Sequence, residues 1–253
     1  MIAHADLHIH LDQFDDPVAA AADAEQADTA LLCATTTPQG YLVARALLAQ
    51  SPNVRVAAGL HPWWLDGRCS NDDIAMLEDL VEYERFIGEV GLDFMEKHAA
   101  KETWELQEVA FRRVCSVAGE CGGKVLTIHS VRAAATVLDI LEETGCLQNC
   151  TCILHWFSDS ADLMWRAIRD GCWFSLGERS LATGKGREYI KLIPRDRLLL
   201  ETDMPWPGDA ERGFTAIAES LARAEAAAGA ALGCCPDTIA KLTSENARFV
   251  LSL

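Results

Sequence analysis

Asp6, His8 and His10 occupy every second position of ADLHIHLD (residues 5–12), with Leu7, Ile9 and Leu11 between them. Side chains of an extended strand alternate faces with period two, so the polar three share one side and the apolar three the other. Unpartnered imidazoles are costly to bury, so this row demands either a tight hydrogen-bond network or a metal ion. The same chemistry recurs along the chain. His61 stands in GLHP, Glu89 in GEVGLD, His129 in TIHS, His155 in ILHWFS, and Glu201 and Asp203 in LLLETD. Imidazoles and carboxylates suit zinc, manganese or magnesium, and four histidines with a glutamate and an aspartate suffice for two divalent ions sharing a bridge. The expected assignment is His8, His10 and Asp203 on one ion, His129 and His155 on the other, and Glu89 as the bridging carboxylate. Two such ions hold a hydroxide and clamp a phosphoryl or carbonyl oxygen, with Asp203 taking the water's proton as general base. Glu201 reads either as a substrate-orienting group or as a carboxylate paired with Arg197 or Lys124; on a strand it would point the same way as Asp203. Asp6 reads as support for the His8 and His10 face.

The elements that must position these groups are legible as alternation. Strand-like runs are expected at 2–9, 29–34, 54–60, 86–91, 124–129, 151–156, 171–176 and 198–203. Helical spacing lies between them at 17–27, 38–50, 72–84, 102–119, 131–144, 160–170 and 185–192, with a last helix within 211–230 and further turns at 236–251. Asn71 reads as the N-cap of the third helix. Eight strand–helix units in about 250 residues are the pattern of an α/β protein with the (β/α)8 TIM-barrel fold, in which catalytic groups gather at the C-terminal ends of the strands. Five of the seven histidines fall at such ends, and only His4 and His98 lie off that ring. An open doubly wound sheet would want a glycine-rich turn after its first strand, where this chain has His8 and His10. No linker-like stretch splits the chain, so one domain over residues 1–253 is expected.

Composition bounds the rest. The 253 residues carry 38 acidic against 22 Lys and Arg side chains, a formal charge of −16, which disfavours broad binding to duplex nucleic acid. Bound cations can still supply local positive potential to a nuclease site. No apolar run reaches membrane-span length and no signal-peptide pattern opens the chain, so a cytoplasmic protein with no membrane partner is expected. Ten cysteines, three of them in the cluster Cys146, Cys150 and Cys152, read as reduced, partly buried thiols rather than a disulfide scaffold. Lys185, Arg187, Lys191, Arg195 and Arg197 form the densest basic segment, either a strand-guiding patch or a solvated helix face. Trp63, Trp64, Trp156 and Trp206 follow expected strand ends, where they would stack bases or pack the rim.

Taken in order, DLHIHLD, GLHP, GEVGLD, HSVRA, HWFS, ETDMP and NARFVLSL resemble the TatD family of metal-dependent hydrolases across nearly the whole chain. The resemblance implies a TIM barrel, two divalent ions and hydrolysis of phosphodiesters by a 3'-to-5' exonuclease acting on single-stranded DNA or RNA. Carried over by position, its ligands are His8, His10, Glu89, His129, His155 and Asp203. His61, Trp64, Arg132 and Glu201 are the substrate-binding candidates. A narrower likeness, on ATTTP, AAGLHP, IHSVRAAATVLD, LHWFS and GCWFSLG followed by GKGRE, is to the QatD-like subgroup of a bacterial anti-phage system, which implies the other components of that system as partners. The chain departs from the family after ETDMP, where PWPGDAERGF runs into the next helix without a longer basic segment. Val131 stands where an Arg is usual, with Arg132 following, and Asp159 replaces the Gly after HWFS. Two other functions remain open: hydrolysis of an amide or ester in a small molecule or aminoacyl-nucleotide by the same metal pair, and a role chiefly as a binding component of a defence complex.

Overall fold

The computed structural model describes residues 2–66 and 71–253. Strands and helices alternate as β1 (His4–Ile9), α1 (Pro17–Gln26), β2 (Thr29–Ala34), α2 (Pro38–Leu47), β3 (Val54–Ala57), α3 (Asn71–Tyr83), β4 (Phe86–Asp93) and α4 (Trp104–Cys121). The series continues with β5 (Val125–Val131), α5 (Ala134–Glu143), α6 (Cys146–Asn149), β6 (Thr151–His155), α7 (Ala161–Arg169), β7 (Trp173–Leu176), α8 (Glu178–Leu181), α9 (Gly184–Leu192), β8 (Leu198–Leu200), α10 (Phe214–Leu232) and α11 (Pro236–Leu251). Parallel strands, each followed by a helix, give the chain the α/β (β/α)8 barrel fold class.

Local chemistry starts the helices. Asp16 caps α1 by accepting from the Ala19 amide ahead of Pro17, and Ser160 and Thr183 do the same for Leu163 in α7 and Gly186 in α9. Asn71 opens α3 as its first residue rather than standing before it as the cap. Every residue of β2 and β4 is buried, as strands covered on both faces must be, and their apolar side chains fill the core.

The chain divides into two compact units. One comprises the N-terminal segment to Cys33, Val43–Val56 and Phe174–Leu253. In it β1 pairs in parallel with β2, and β7 with β8. Beyond β8 the chain runs alongside the end of β1, with the Asp203 amide donating to the His8 carbonyl at 2.9 Å and the His10 amide to the Met204 carbonyl at 2.8 Å. Helix α11 packs on β1 and β8. The other unit comprises Ala34–Leu42 and Ala57–Trp173, with β4, β5 and β6 parallel and side by side and α4 packed on β4. Two glycines allow the close approaches there. A Cβ on Gly59 would stand 1.9 Å from the Thr35 carbonyl and 2.5 Å from the Glu89 amide, and one on Gly91, at φ +141°, would stand 2.0 Å from the His129 carbonyl.

Strand β8 ends at Leu200, three residues earlier than expected, and Asp203 has φ +53°. Period-two alternation therefore does not carry from Glu201 to Asp203, because the chain leaves the extended conformation between them. Arg132, at φ +53°, likewise ends the run of β5 and delays α5 to Ala134.

Of the two histidines expected off the ring, His4 pairs with Glu225 on α10, Nδ1 to Oε1 at 2.6 Å. That hydrogen bond raises the His4 pKa above its ordinary 6.5, against a smaller opposing effect of burial. The ion pair's contribution is therefore full below the unfolded pKa of about 6.5 and is lost as pH rises through the higher folded value. Glu225→Gln is expected to lower the melting temperature more at about pH 6 than at about pH 9. The difference should correspond to less than about 1 kcal/mol, because His4 is partly exposed. Thermal unfolding followed by circular dichroism at the two pH values checks it.

Candidate metal centre

In the first unit, β1 and the segment after β8 bring His8, His10 and Asp203 together. The Nε2 atoms of His8 and His10 lie 3.8 and 3.5 Å from Asp203 Oδ1. Ligand atoms that share an ion through bonds of about 2.0–2.2 Å stand about 3–4 Å apart, so these separations fit a cation better than hydrogen bonds. Asp6, fully buried beneath them, accepts from the Thr202 amide at 3.0 Å, the Thr202 hydroxyl at 2.5 Å and the His8 amide at 3.2 Å. Burial pushes the Asp6 carboxyl up to about 7, with those hydrogen bonds pulling the other way. Its position explains the period-two row at the N-terminus: Asp6 holds Thr202, and Asp203 follows.

Glu201 is buried and takes the Ser175 hydroxyl, not a basic partner from Lys124, whose ammonium donates to the Glu82 and Glu84 carbonyls at 3.0 Å each. The side chain belongs to the end of β8 and packs against Gly177 after β7.

In the second unit, β4, β5 and β6 deliver Glu89, His129 and His155. Glu89 Oε1 stands 2.7 Å from His129 Nδ1 and 2.9 Å from His155 Nε2, and those two nitrogens are 3.4 Å apart. The 2.7 and 2.9 Å separations are those of hydrogen bonds, and they gather a carboxylate oxygen and two imidazole nitrogens, donor types that hold a divalent ion. His61, expected to touch substrate, lies against Glu89, with Nε2 3.2 Å from Oε1. Its Nδ1 accepts from the Trp63 amide at 3.1 Å, so the neutral ring carries its proton on Nε2 and donates to Glu89.

Asp93, the last residue of β4, was not singled out from the sequence. Its Oδ2 lies 3.2 Å from His129 Nε2, accepts from Trp63 Nε1 at 2.7 Å, and lies 3.0 Å from Nδ1 of His98. The Met95 amide donates to Oδ1 at 2.9 Å. His98, expected off the ring, thus joins it through Asp93. Burial favours the neutral form of Asp93, but the hydrogen bonds from His129, Trp63 and Met95 outweigh it and hold the carboxyl well below the usual carboxylate range. Burial lowers the His129 pKa, and the bonds to Asp93 and Glu89 overcome it and raise the group to about 9. A histidine held at one nitrogen by a carboxylate presents its other nitrogen to a metal, and here that nitrogen is the Nδ1 facing Glu89. The signal was available in GEVGLD, because Glu89 and Asp93 are both buried in β4 and an ionised carboxylate in a core needs partners.

Trp63 donates its indole N–H to Asp93 and sets its ring edge-on to His61 and His129, while much of the side chain remains exposed. Trp206 carries the Arg179 guanidinium over its ring. Trp64 is exposed beside His61, and Arg132 is exposed at the end of β5. In the basic segment, Lys191 pairs with Glu188 and Arg187 donates to the Leu181 and Ala182 carbonyls, in keeping with a solvated helix face. The nine described cysteines are free, and the hydrogen bond with Cys115 pushes the Cys146 thiol up to about 12.

The family model described as TatD related DNase matches residues 5–252. The uncharacterized metal-dependent hydrolase YcfH of Escherichia coli is 31% identical over 217 residues, spanning 79% of this chain and 77% of its own length. YabD of Bacillus subtilis, described in the same words, is 28% identical over 214 residues, 81% of each chain. The deoxyribonuclease Tat-D of Schizosaccharomyces pombe is 33% identical over 119 residues, 47% of this chain and 37% of that one. Among solved structures, the TatD homolog YjjV of Escherichia coli superposes with a TM-score of 0.80 at 23% identity, covering 98% of this chain and 97% of the other, which establishes the shared fold.

Asp93→Asn keeps the side chain's shape and removes its charge. Affinity for a divalent ion is expected to fall about 10- to 100-fold. Competition against a chelating indicator dye measures it, and an unchanged affinity would show that His129 needs no carboxylate behind it.

Proposed function

The chain belongs to the TatD-related DNase family of metal-dependent hydrolases, and from that premise we propose that it is a two-metal phosphodiesterase cutting single-stranded DNA from the 3' end. What carries the reading is the pair of donor sets, the first with the spacing of ligands around one ion and the second a carboxylate oxygen gathered with two imidazole nitrogens. In this proposal His8, His10 and Asp203 hold one divalent cation, and Glu89, His129 and His155 hold the second.

Bound divalent ions supply Lewis acidity, polarising a phosphoryl oxygen and making water acidic enough to attack near neutral pH. The chain's own groups do the rest. Asp203, half-buried at the open end of β8, accepts the proton that the attacking water loses. Asp6 holds Thr202 and with it the turn that aims Asp203. His61 donates to Glu89 and fixes the carboxylate's orientation. Trp64 offers an exposed aromatic face on which an unpaired base stacks, a contact worth about 1–3 kcal/mol per base. Arg132, exposed beyond β5, contacts the substrate backbone. Substrate choice follows from the charge: a surface at −16 repels a long duplex, while a strand end needs few phosphate contacts outside the cations. No described helix is long and apolar enough to cross a membrane. The motifs shared with the QatD-like subgroup extend the proposal to a role in anti-phage defence beside partner proteins.

Digestion of end-labelled single-stranded DNA with manganese or magnesium tests the reading. A metal-dependent ladder is expected, shortening from the 3' end, and Asp203→Asn should lower kcat at least about 100-fold while leaving the oligonucleotide KM within a few-fold, as removal of a group acting on the reacting atoms does. Cleavage of small amides or esters without DNA cleavage would overturn it.

A further inference from the structure

The first unit holds an arginine stacked on an aromatic ring. Arg179 lies on α8, just beyond β7, and its guanidinium carbon stands 3.8 Å above the centre of the Trp206 ring. Trp206 is in turn anchored by its indole N–H, 3.4 Å from the Thr202 carbonyl, next in the chain to Asp203. Gly177, two residues before Arg179, approaches Glu201 so closely that a Cβ would come within 2.8 Å of its carbonyl. Arg179 is therefore tied to the ETD stretch that contributes Asp203 through its own stack on Trp206 and through Gly177 two residues before it.

Its charge is available. Acidic residues outnumber basic ones 38 to 22, and Arg112, Arg113, Arg166, Arg212 and Arg223 all pair with carboxylates. Among the described residues no carboxylate pairs with Arg179. The adjacent Glu178 is engaged by Arg223 from α10. A guanidinium stacked on an indole has one face occupied and its in-plane N–H edge open, the edge that bonds two oxygens of a phosphate at once. The stack also fixes the long side chain in advance, so less entropy is lost when an anion binds.

We propose that Arg179, held on Trp206, is a phosphate-binding residue that receives a backbone phosphate of the substrate strand beside the His8, His10 and Asp203 cluster. The inference rests on the nuclease reading for the strand, and on the stack alone for the phosphate. It also assigns Trp206 a function as the platform for Arg179 rather than as a stacking partner for a base.

The test compares the manganese-loaded unsubstituted protein with Arg179→Gln and Arg179→Lys. Loss of one bidentate contact to a phosphate should raise the KM for a single-stranded oligonucleotide about tenfold with kcat within about twofold, and lysine should restore part of it. The diagnostic readout is salt dependence, measured by anisotropy of a labelled oligonucleotide in an Asp203→Asn background. The slope of log affinity against log salt should become shallower by about 0.7, the value for one single-strand phosphate contact, in Arg179→Gln. A purely structural role would weaken binding with the slope unchanged, and that result, or equal KM values, overturns the proposal. If the unsubstituted protein cuts no oligonucleotide, the nuclease reading has failed, and calorimetric titration with inorganic phosphate decides the site by itself. Heat of binding present in the unsubstituted protein and lost in Arg179→Gln supports the phosphate site, and identical titrations refute it.

Discussion

A carboxylate with almost no exposure cannot stay ionised in a core unless cations or donors surround it, and Glu89 satisfies that requirement with three imidazoles drawn from different strand ends. Much of the second unit serves this arrangement. Gly59 and Gly91 let the backbone approach Glu89 and His129 where any side chain would collide. Asp93 takes the far nitrogen of His129, so the near one faces Glu89. Remove the need to hold this charge, and the invasion of a buried strand by two carboxylates has no reason.

The first unit meets a related constraint by different means. Asp203 is partly exposed where Glu89 is buried, and its support lies one layer deeper. Asp6 spends its oxygens on Thr202 and His8, and the turn beyond β8 forms around it. The left-handed conformation of Asp203 is the outcome of that clamp together with the pairing of its amide to the His8 carbonyl. Charge is distributed in the same sense. Arg112, Arg113, Arg166, Arg212 and Arg223 pair with carboxylates, whereas Arg179 stacks on Trp206.

The alternation of strands and helices was legible residue by residue, because parallel strands buried on both faces read as short apolar runs and three of the helices between them, α1, α7 and α9, carry side-chain caps at their first turns. The histidines and carboxylates at strand ends were legible for the same reason: polar groups interrupting apolar runs at a fixed place in each repeat. Boundaries were less so. Strand β8 stops early because hydrogen bonds from a segment almost two hundred residues away override the local preference of LLLETD for an extended chain.

Residue type and spacing thus determined the fold class and which side chains have ligand chemistry, since both depend on periodicities that a single chain carries within itself. Tertiary structure decided which nitrogen of each histidine faces which oxygen. It turned His61 toward Glu89, drew Asp93 and His98 into the centre, and placed Arg179 on Trp206. Those outcomes depend on distances between strand ends and loops remote in the sequence, and a hydrogen bond of about 3 Å is set by packing rather than by position along the chain.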